Sequence, residues 1–338
     1  AIVSGWMIAF FFEPLSRLLG MEGLSNWLTT DAVVRNSLFV VLFMMLTVYI
    51  ISAGVKEGIE KWASRLMPSL IVILILLIVY VLTLPGAMDG LRAYLIPDFS
   101  LIADPSLLVD AMGQAFFSLS LGVGTMLIYG SYINKQENLP TIGSLVALLD
   151  VGIAVLAGLL IIPAMYVALN NGVEIYDAAG GLIAGPGLIV SVLPALFDTM
   201  GAIGVFVAFA FFALMTIASL TSSISMLEVP VAYGVEHHGL ERRRAAAIIG
   251  SIITVIALII VFNFDPLFDL VVTVTTEISQ PLLGLAFCIF VAWIWQRNEI
   301  LEEIKSGCPD AESGLFWKIW PFYVKFICPV AILVVYFQ

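Results

Sequence analysis

Apolar residues run along this chain in stretches of about twenty positions, separated by short clusters rich in charge, Gly and Pro. A stretch of that length crosses a hydrocarbon core of about 30 Å as helix. The runs are continuous and do not alternate with period two, and lipid offers no partner to backbone N–H and C=O groups. Each run therefore predicts a transmembrane helix. Nine segments follow, at roughly 1–19, 36–54, 67–84, 108–132, 143–168, 199–233, 245–262, 267–295 and 319–337. The run at 199–233 is too long for one perpendicular span, and tilt or an extension into the cytoplasm absorbs the excess. The expectation is a single all-α transmembrane domain over 1–338 with no separate soluble part. The connection at 169–198, with Ala179-Gly180-Gly181 and Gly185-Pro186-Gly187, reads as a structured outer cap.

Basic residues orient the segments. Alternate connections hold Lys56, Lys61, Arg65, Lys135, Arg242, Arg243, Arg244, Arg297, Lys305 and Lys318, ten of the fourteen Lys and Arg residues. The other connections hold Arg35 and Arg92, with Arg17 at a segment end. The basic set is assigned to the cytoplasm, so the first segment runs outward.

Composition agrees: 61% of residues are hydrophobic and 12% charged, where a soluble surface needs roughly a quarter. A net charge of −11 without a basic stripe argues against nucleic acid. Cys288, Cys308 and Cys328 form no CxxC pair and read as packing thiols. No signal peptide is visible; the chain opens inside an apolar run.

Two stretches place polar residues at membrane depth. In Gln114-Ala115-Phe116-Phe117-Ser118-Leu119-Ser120-Leu121-Gly122-Val123-Gly124, two glycines and two serines weaken a helix and let it open. A broken helix in the membrane is tolerated where freed carbonyls line a cavity or bind something; close packing through small residues is the other reading. In Ala218-Ser219-Leu220-Thr221-Ser222-Ser223-Ile224-Ser225-Met226, residues 218, 221, 222, 225 and 226 share one helical face. Its hydroxyls, with the carbonyl of Ala218, offer the hard oxygen ligands that an alkali cation prefers. Single Ser or Thr residues in membrane helices usually bond their own backbone, but here five hydroxyl residues fall within seven positions.

Ionisable residues at depth are functional candidates by default. Asp150, Glu228 and Glu277 lie within segments, and each has a packing or snorkelling alternative. His237-His238 beside Gly239 reads as a solvated inner loop.

Taken together, residues 113–124 with Tyr129-Gly130-Ser131-Tyr132 resemble the sixth helix of the neurotransmitter:sodium symporters, and Ala218 to Ser223 their eighth. Ala157-Gly158-Leu159, Ile162-Pro163 and the Gly185-Pro186-Gly187 loop of bacterial members add to the likeness, which covers the whole chain. The resemblance implies an inverted-repeat, broken-helix symporter fold. It implies sodium ligands at Ser118, Ala218 (by its carbonyl), Thr221 and Ser222. It implies a substrate pocket lined by Phe117, Ser118, Ser120 and Val123, with Ser222 and Met226 below. Gln114 and Asp150 match the region that binds chloride in animal members, so a carboxylate at Asp150 implies chloride-independent transport. Tyr132 and Glu236 match an inner gate network. Asp269 lies near the outer-gate acid, whose own position matches Val272.

Ser4-Gly5-Trp6 resembles part of the third helix, which implies that the first two helices, and several ligands with them, are missing partners outside this chain. The chain alone is then expected not to transport. The implied function is sodium-coupled symport of an amino acid by alternating access, in a multi-pass protein of a bacterial inner membrane. Its partners are the amino acid, sodium ions and the lipid bilayer. Sodium is the coupling ion and no cofactor is implied. The alternative is a non-transporting membrane scaffold or sensor that keeps the fold. An enzyme is not expected, because the sequence shows neither a nucleophile–base pair nor a metal cluster.

Overall fold

A helix that is apolar all round must be buried among other helices or face lipid, and this chain builds both kinds. The computed structural model describes residues 1–30, 32–97, 99, 104–177 and 180–336, and their side chains except at 105, 106, 108, 109, 186, 265, 277 and 335. Ala179 of the expected cap motif, and the side chains of Pro186 and Glu277, lie outside the described residues. Apart from an isolated bridge between Tyr176 and Leu182, the regular structure among the described residues is helical. Among the described residues, seven helices are long and apolar enough to span a membrane: Val33–Ser52, Val55–Leu82, Leu139–Asn170, Ala202–His238, Arg242–Phe262, Pro266–Ile294 and Leu315–Val334.

The chain folds into two compact units, Ala1–Pro97 with Ala154–Phe264, and Asp98–Ile153 with Asp265–Gln338. The first unit contains α1 (Ile2–Leu18), α2 (Glu22–Thr29), α3 (Val33–Ser52), α4 (Lys61–Leu82) and α5 (Ala87–Leu95). It continues with the later part of α8 (Leu139–Asn170), α9 (Gly185–Gly187), α10 (Leu193–Thr199), α11 (Ala202–His238) and α12 (Arg242–Phe262). Helix α1 is buried at Met7, Ile8, Ala9 and Phe10 and packs against α3 and α11. Gly5 sets that approach: a methyl group there would lie 3.0 Å from the backbone of Phe39 and Val40. Phe10 stacks on Phe212 at 5.1 Å, and Phe197 meets Phe211 and Phe212.

Two carboxylates buried in this unit are paired, as a low-dielectric interior favours. The Glu13 carboxylate accepts from Ser25 Oγ at 2.6 Å and from Arg17 Nε at 2.9 Å. Arg17 also reaches Asp198, joining α1 to α10. Glu228, with no exposed surface, accepts from Arg242 at 2.5 Å. Arg242 Nε donates to the Ile51 carbonyl at 2.9 Å, so one guanidinium joins α3, α11 and α12.

The second unit contains α6 (Pro105–Ser118), α7 (Thr125–Ser131), the start of α8, and most of α13 (Phe264–Val272). It also holds α14 (Gln280–Ile289), α15 (Arg297–Gly307), α16 (Leu315–Phe322) and α17 (Cys328–Tyr336). Wide π-helical turns at Thr273–Ser279, Phe290–Ile294 and Tyr323–Ile327 link α13 to α14, lead out of α14, and link α16 to α17. Such turns leave backbone groups locally out of the regular ladder. Helix α14 packs against α17 and α6.

Candidate functional site

The run at 113–124 opens as its composition expects. Helix α6 ends at Ser118 with two reverse hydrogen bonds, Leu121 N–H to the Phe116 carbonyl at 3.0 Å and Ser120 N–H to the Phe117 carbonyl at 3.1 Å. That pair of bonds forms a helix-ending motif that wants a left-handed residue, usually Gly, at the place Ser120 occupies. Ser120 has φ 52°, the one non-glycine residue with positive φ among those described. Gly122 and Gly124 follow at φ 84° and 87°, and α7 starts at Thr125. The bend is wedged in place. A methyl group on Gly122 would overlap the carbonyl oxygen of Gln280 at the start of α14. One on Gly284 would meet the Phe116 ring at 2.7 Å.

The last residue of α6 points its hydroxyl at a carboxylate. Ser118 Oγ donates to Asp150, lying 2.8 Å from both Oδ1 and Oδ2. Two residues singled out separately in the sequence, 32 positions apart, thus form one polar group beside the break. Gln114, one turn earlier on α6, has an exposed side chain. Phe117 is exposed, while Ser120 and Val123 are half-buried in the turn.

The hydroxyl-rich stretch lies inside the 37-residue α11, in the other unit. Thr221 is buried, and its hydroxyl lies 2.9 Å from the Ala218 carbonyl and 3.1 Å from that of Ile217. Ser225 donates to the Thr221 carbonyl and Ser219 to that of Thr216, both at 3.1 Å. Ser222 and Met226 are exposed. Thr221 thus stands at the edge between the packed and open sides of α11. A hydroxyl that donates its proton to a carbonyl keeps its oxygen lone pairs, and the carbonyl keeps a second one. Thr221 Oγ and the Ala218 oxygen therefore retain acceptor capacity for a cation.

Tyr132 caps α7, half-buried, with its ring 6.3 Å from that of Tyr129. Glu236 is exposed in the last turn of α11, where Tyr233 stacks on His237 at 5.0 Å. Asp269 is exposed on α13. Sequence reasoning passed over two ionisable residues. Glu13 sits near a segment end, where its buried pairing has no local signal. Lys325 lies inside the last segment, where an inventory of connecting loops does not register it; its ammonium rests 4.5 Å from the Trp293 ring centroid.

The profile of the Sodium:neurotransmitter symporter family matches residues 10–338. An uncharacterized sodium-dependent transporter of Haemophilus influenzae is 33% identical, over 99% of this chain and 74% of its own length. Another, of Bacillus subtilis, is 30% identical over 99% of this chain and 75% of its own. The crystal structure of MhsT in complex with L-phenylalanine is similar at 33% identity with a TM-score of 0.78, covering 99% of this chain and 79% of that one.

Proposed function

We propose that this chain, which belongs to the sodium:neurotransmitter symporter family, carries an amino acid together with sodium and needs no chloride to do so. Membership makes it a sodium-dependent, multi-pass transporter of the cell membrane that works by secondary transport and not by enzymatic catalysis. The Ser118–Asp150 hydrogen bond carries the finer reading. It sets a fixed carboxylate beside the residue that the family resemblance makes a sodium ligand. In this reading the carboxylate supplies the negative charge that a chloride ion would otherwise bring. Chloride then adds nothing.

The amino-acid assignment draws on the likeness to MhsT, which was crystallised with L-phenylalanine. In this reading Phe117, Ser120 and Val123, and likewise Ser222 and Met226, take the substrate-contacting roles that the resemblance gives them, and the small Val123 leaves room for a bulky apolar or aromatic side chain. Ser118 serves a first sodium site, and Thr221, Ser222 and the Ala218 carbonyl a second. In the same reading Gln114 belongs with Asp150 to the anion-site region, and Tyr132, Glu236 and Asp269 serve the gates. Sodium and substrate each bind better with the other present, which is the reciprocal coupling that symport requires.

Uptake of a radiolabelled amino acid by the gene's full-length product tests the reading. Uptake should vanish when choline replaces sodium and stay unchanged when gluconate replaces chloride. Asp150→Asn should depress uptake in gluconate, with chloride restoring part of it. Undiminished uptake in choline would sink the transport reading, and a wild-type requirement for chloride would sink the role of Asp150. Thr221→Ala and Ser222→Ala should each raise the half-saturating sodium concentration by about fivefold, the loss expected for one hydroxyl contact.

A further inference from the structure

An ammonium group within a membrane helix is costly and marks a candidate site. Lys325 lies in the π-helical turn Tyr323–Ile327, inside the apolar span Leu315–Val334. Its Nζ rests over the Trp293 ring at 4.5 Å and the Phe326 ring at 5.7 Å, and no carboxylate pairs with it among the described residues. A second cation, Arg297, lies with its guanidinium 5.5 Å from the Trp317 ring centroid. Both cations line one crevice of about 260 Å³, together with Trp295, Trp317 and Trp320. The nearby Glu312 is taken by Lys305, whose hydrogen bond holds that carboxyl below the usual carboxylate range; Arg297 lies within electrostatic reach of it.

Behind this crevice runs a groove of about 560 Å³, which shares the wall of Val291, Trp295, Ile300 and Trp320. It continues along Phe316 and the first turns of α8, and Glu303 is its one charged lining residue. The floor is built in advance. Ile300 and Ile304 of α15 are buried against Trp317. Ser306 Oγ donates to the Lys135 carbonyl at 2.6 Å, tying α15 to the connection at 133–138.

We propose that this crevice and groove bind an anionic phospholipid of the inner leaflet. Its phosphate diester sits between Arg297 and Lys325, and an acyl chain lies in the apolar groove. Charge complementarity selects the headgroup: two cations face the crevice, and a cation on a ring face keeps its N–H donors for an anion. Location selects the source. The basic connections place this end of the molecule at the cytoplasmic face, where anionic lipids lie and tryptophans favour the interface. A free phosphate would satisfy the cations but leave the groove empty.

Native mass spectrometry of the purified full-length protein tests this in competition with phosphatidylglycerol, phosphatidylcholine and inorganic phosphate. Phosphatidylglycerol should be retained in preference to phosphatidylcholine. Arg297→Gln and Lys325→Gln should each weaken that retention by about fivefold, the effect of one basic residue near an anionic surface. Lys56→Gln with Lys61→Gln, basic residues elsewhere on the same face, should leave it unchanged. Equal retention of both lipids, displacement by inorganic phosphate, or equal loss in the Lys56/Lys61 variant would each overturn the proposal. A measurement without substitutions stands beside it. In wild-type protein, phosphatidylglycerol with brominated chains should quench tryptophan emission more than brominated phosphatidylcholine at the same mole fraction, and equal quenching refutes the site. Sodium-driven uptake can survive either failure, so the two readings are separable.

Discussion

Glu228 takes a carboxylate into the core with no exposed surface, which an interior tolerates only when the charge is paired. Arg242 provides the pair at 2.5 Å. Arg242→Ala would remove that counter-charge, and thermal denaturation in detergent should show a loss on the order of 3–5 kcal/mol. Arg243→Ala, at an exposed position of the same helix turn, should stay within about 0.5 kcal/mol of wild type. The sequence made Glu228 visible as an acid at depth, but its partner was hidden, because Arg242 counted as one of three arginines in a cytoplasmic connection. Ser118 and Asp150 were likewise visible one by one, while their hydrogen bond depends on how α6 meets α8. Ser120 gave the opposite lesson. The glycines at 122 and 124 are the usual marks of positive φ, yet the serine carries the first left-handed turn. Ser120→Gly should therefore raise the melting temperature, by about 1 kcal/mol of relieved backbone strain.

At the scale of the element, the interruption between α6 and α7 was legible because Gly and Ser cluster where an uninterrupted span would hold branched apolar residues. What holds it open was not. Gly122 is left-handed, as its residue type suggests, but it is also pressed against the Gln280 carbonyl, and that contact comes from α14, which is distant in sequence. Gly122→Ala must bear the strained φ and displace that backbone. It should lose on the order of 2–4 kcal/mol and abolish uptake even where some protein still folds. Gly152 lies in α8 with nothing within 4 Å of an added methyl group. Gly152→Ala should be neutral or stabilising by up to about 1 kcal/mol, as expected when helical glycine becomes alanine. If both substitutions were equally harmless, the wedge at Gly122 would not be what fixes the bend.

For the whole molecule, apolar length finds the spans but cannot tell which of them pack together. Arg17 and Asp198 meet across 181 positions, and no local pattern announces that pairing. Orientation is different, because it is written in the connections. The connection at 169–198, expected outside, and the connection holding α15 are separated by three helices long and apolar enough to span, Ala202–His238, Arg242–Phe262 and Pro266–Ile294. Three crossings would put them on opposite faces, and the charge rule predicts α15 inside. Glu174 and Glu302 are exposed reporters in the two connections. In a background with Cys308→Ser, Glu174→Cys should react with a membrane-impermeant maleimide on intact cells. Glu302→Cys should react only after the membrane is opened. If Glu302→Cys reacted from outside, the inner-leaflet position of the Arg297–Lys325 crevice would fall with the orientation, since an anionic lipid there presumes the cytoplasmic face. The labelling pattern therefore decides the topology and the setting of the lipid site in one measurement.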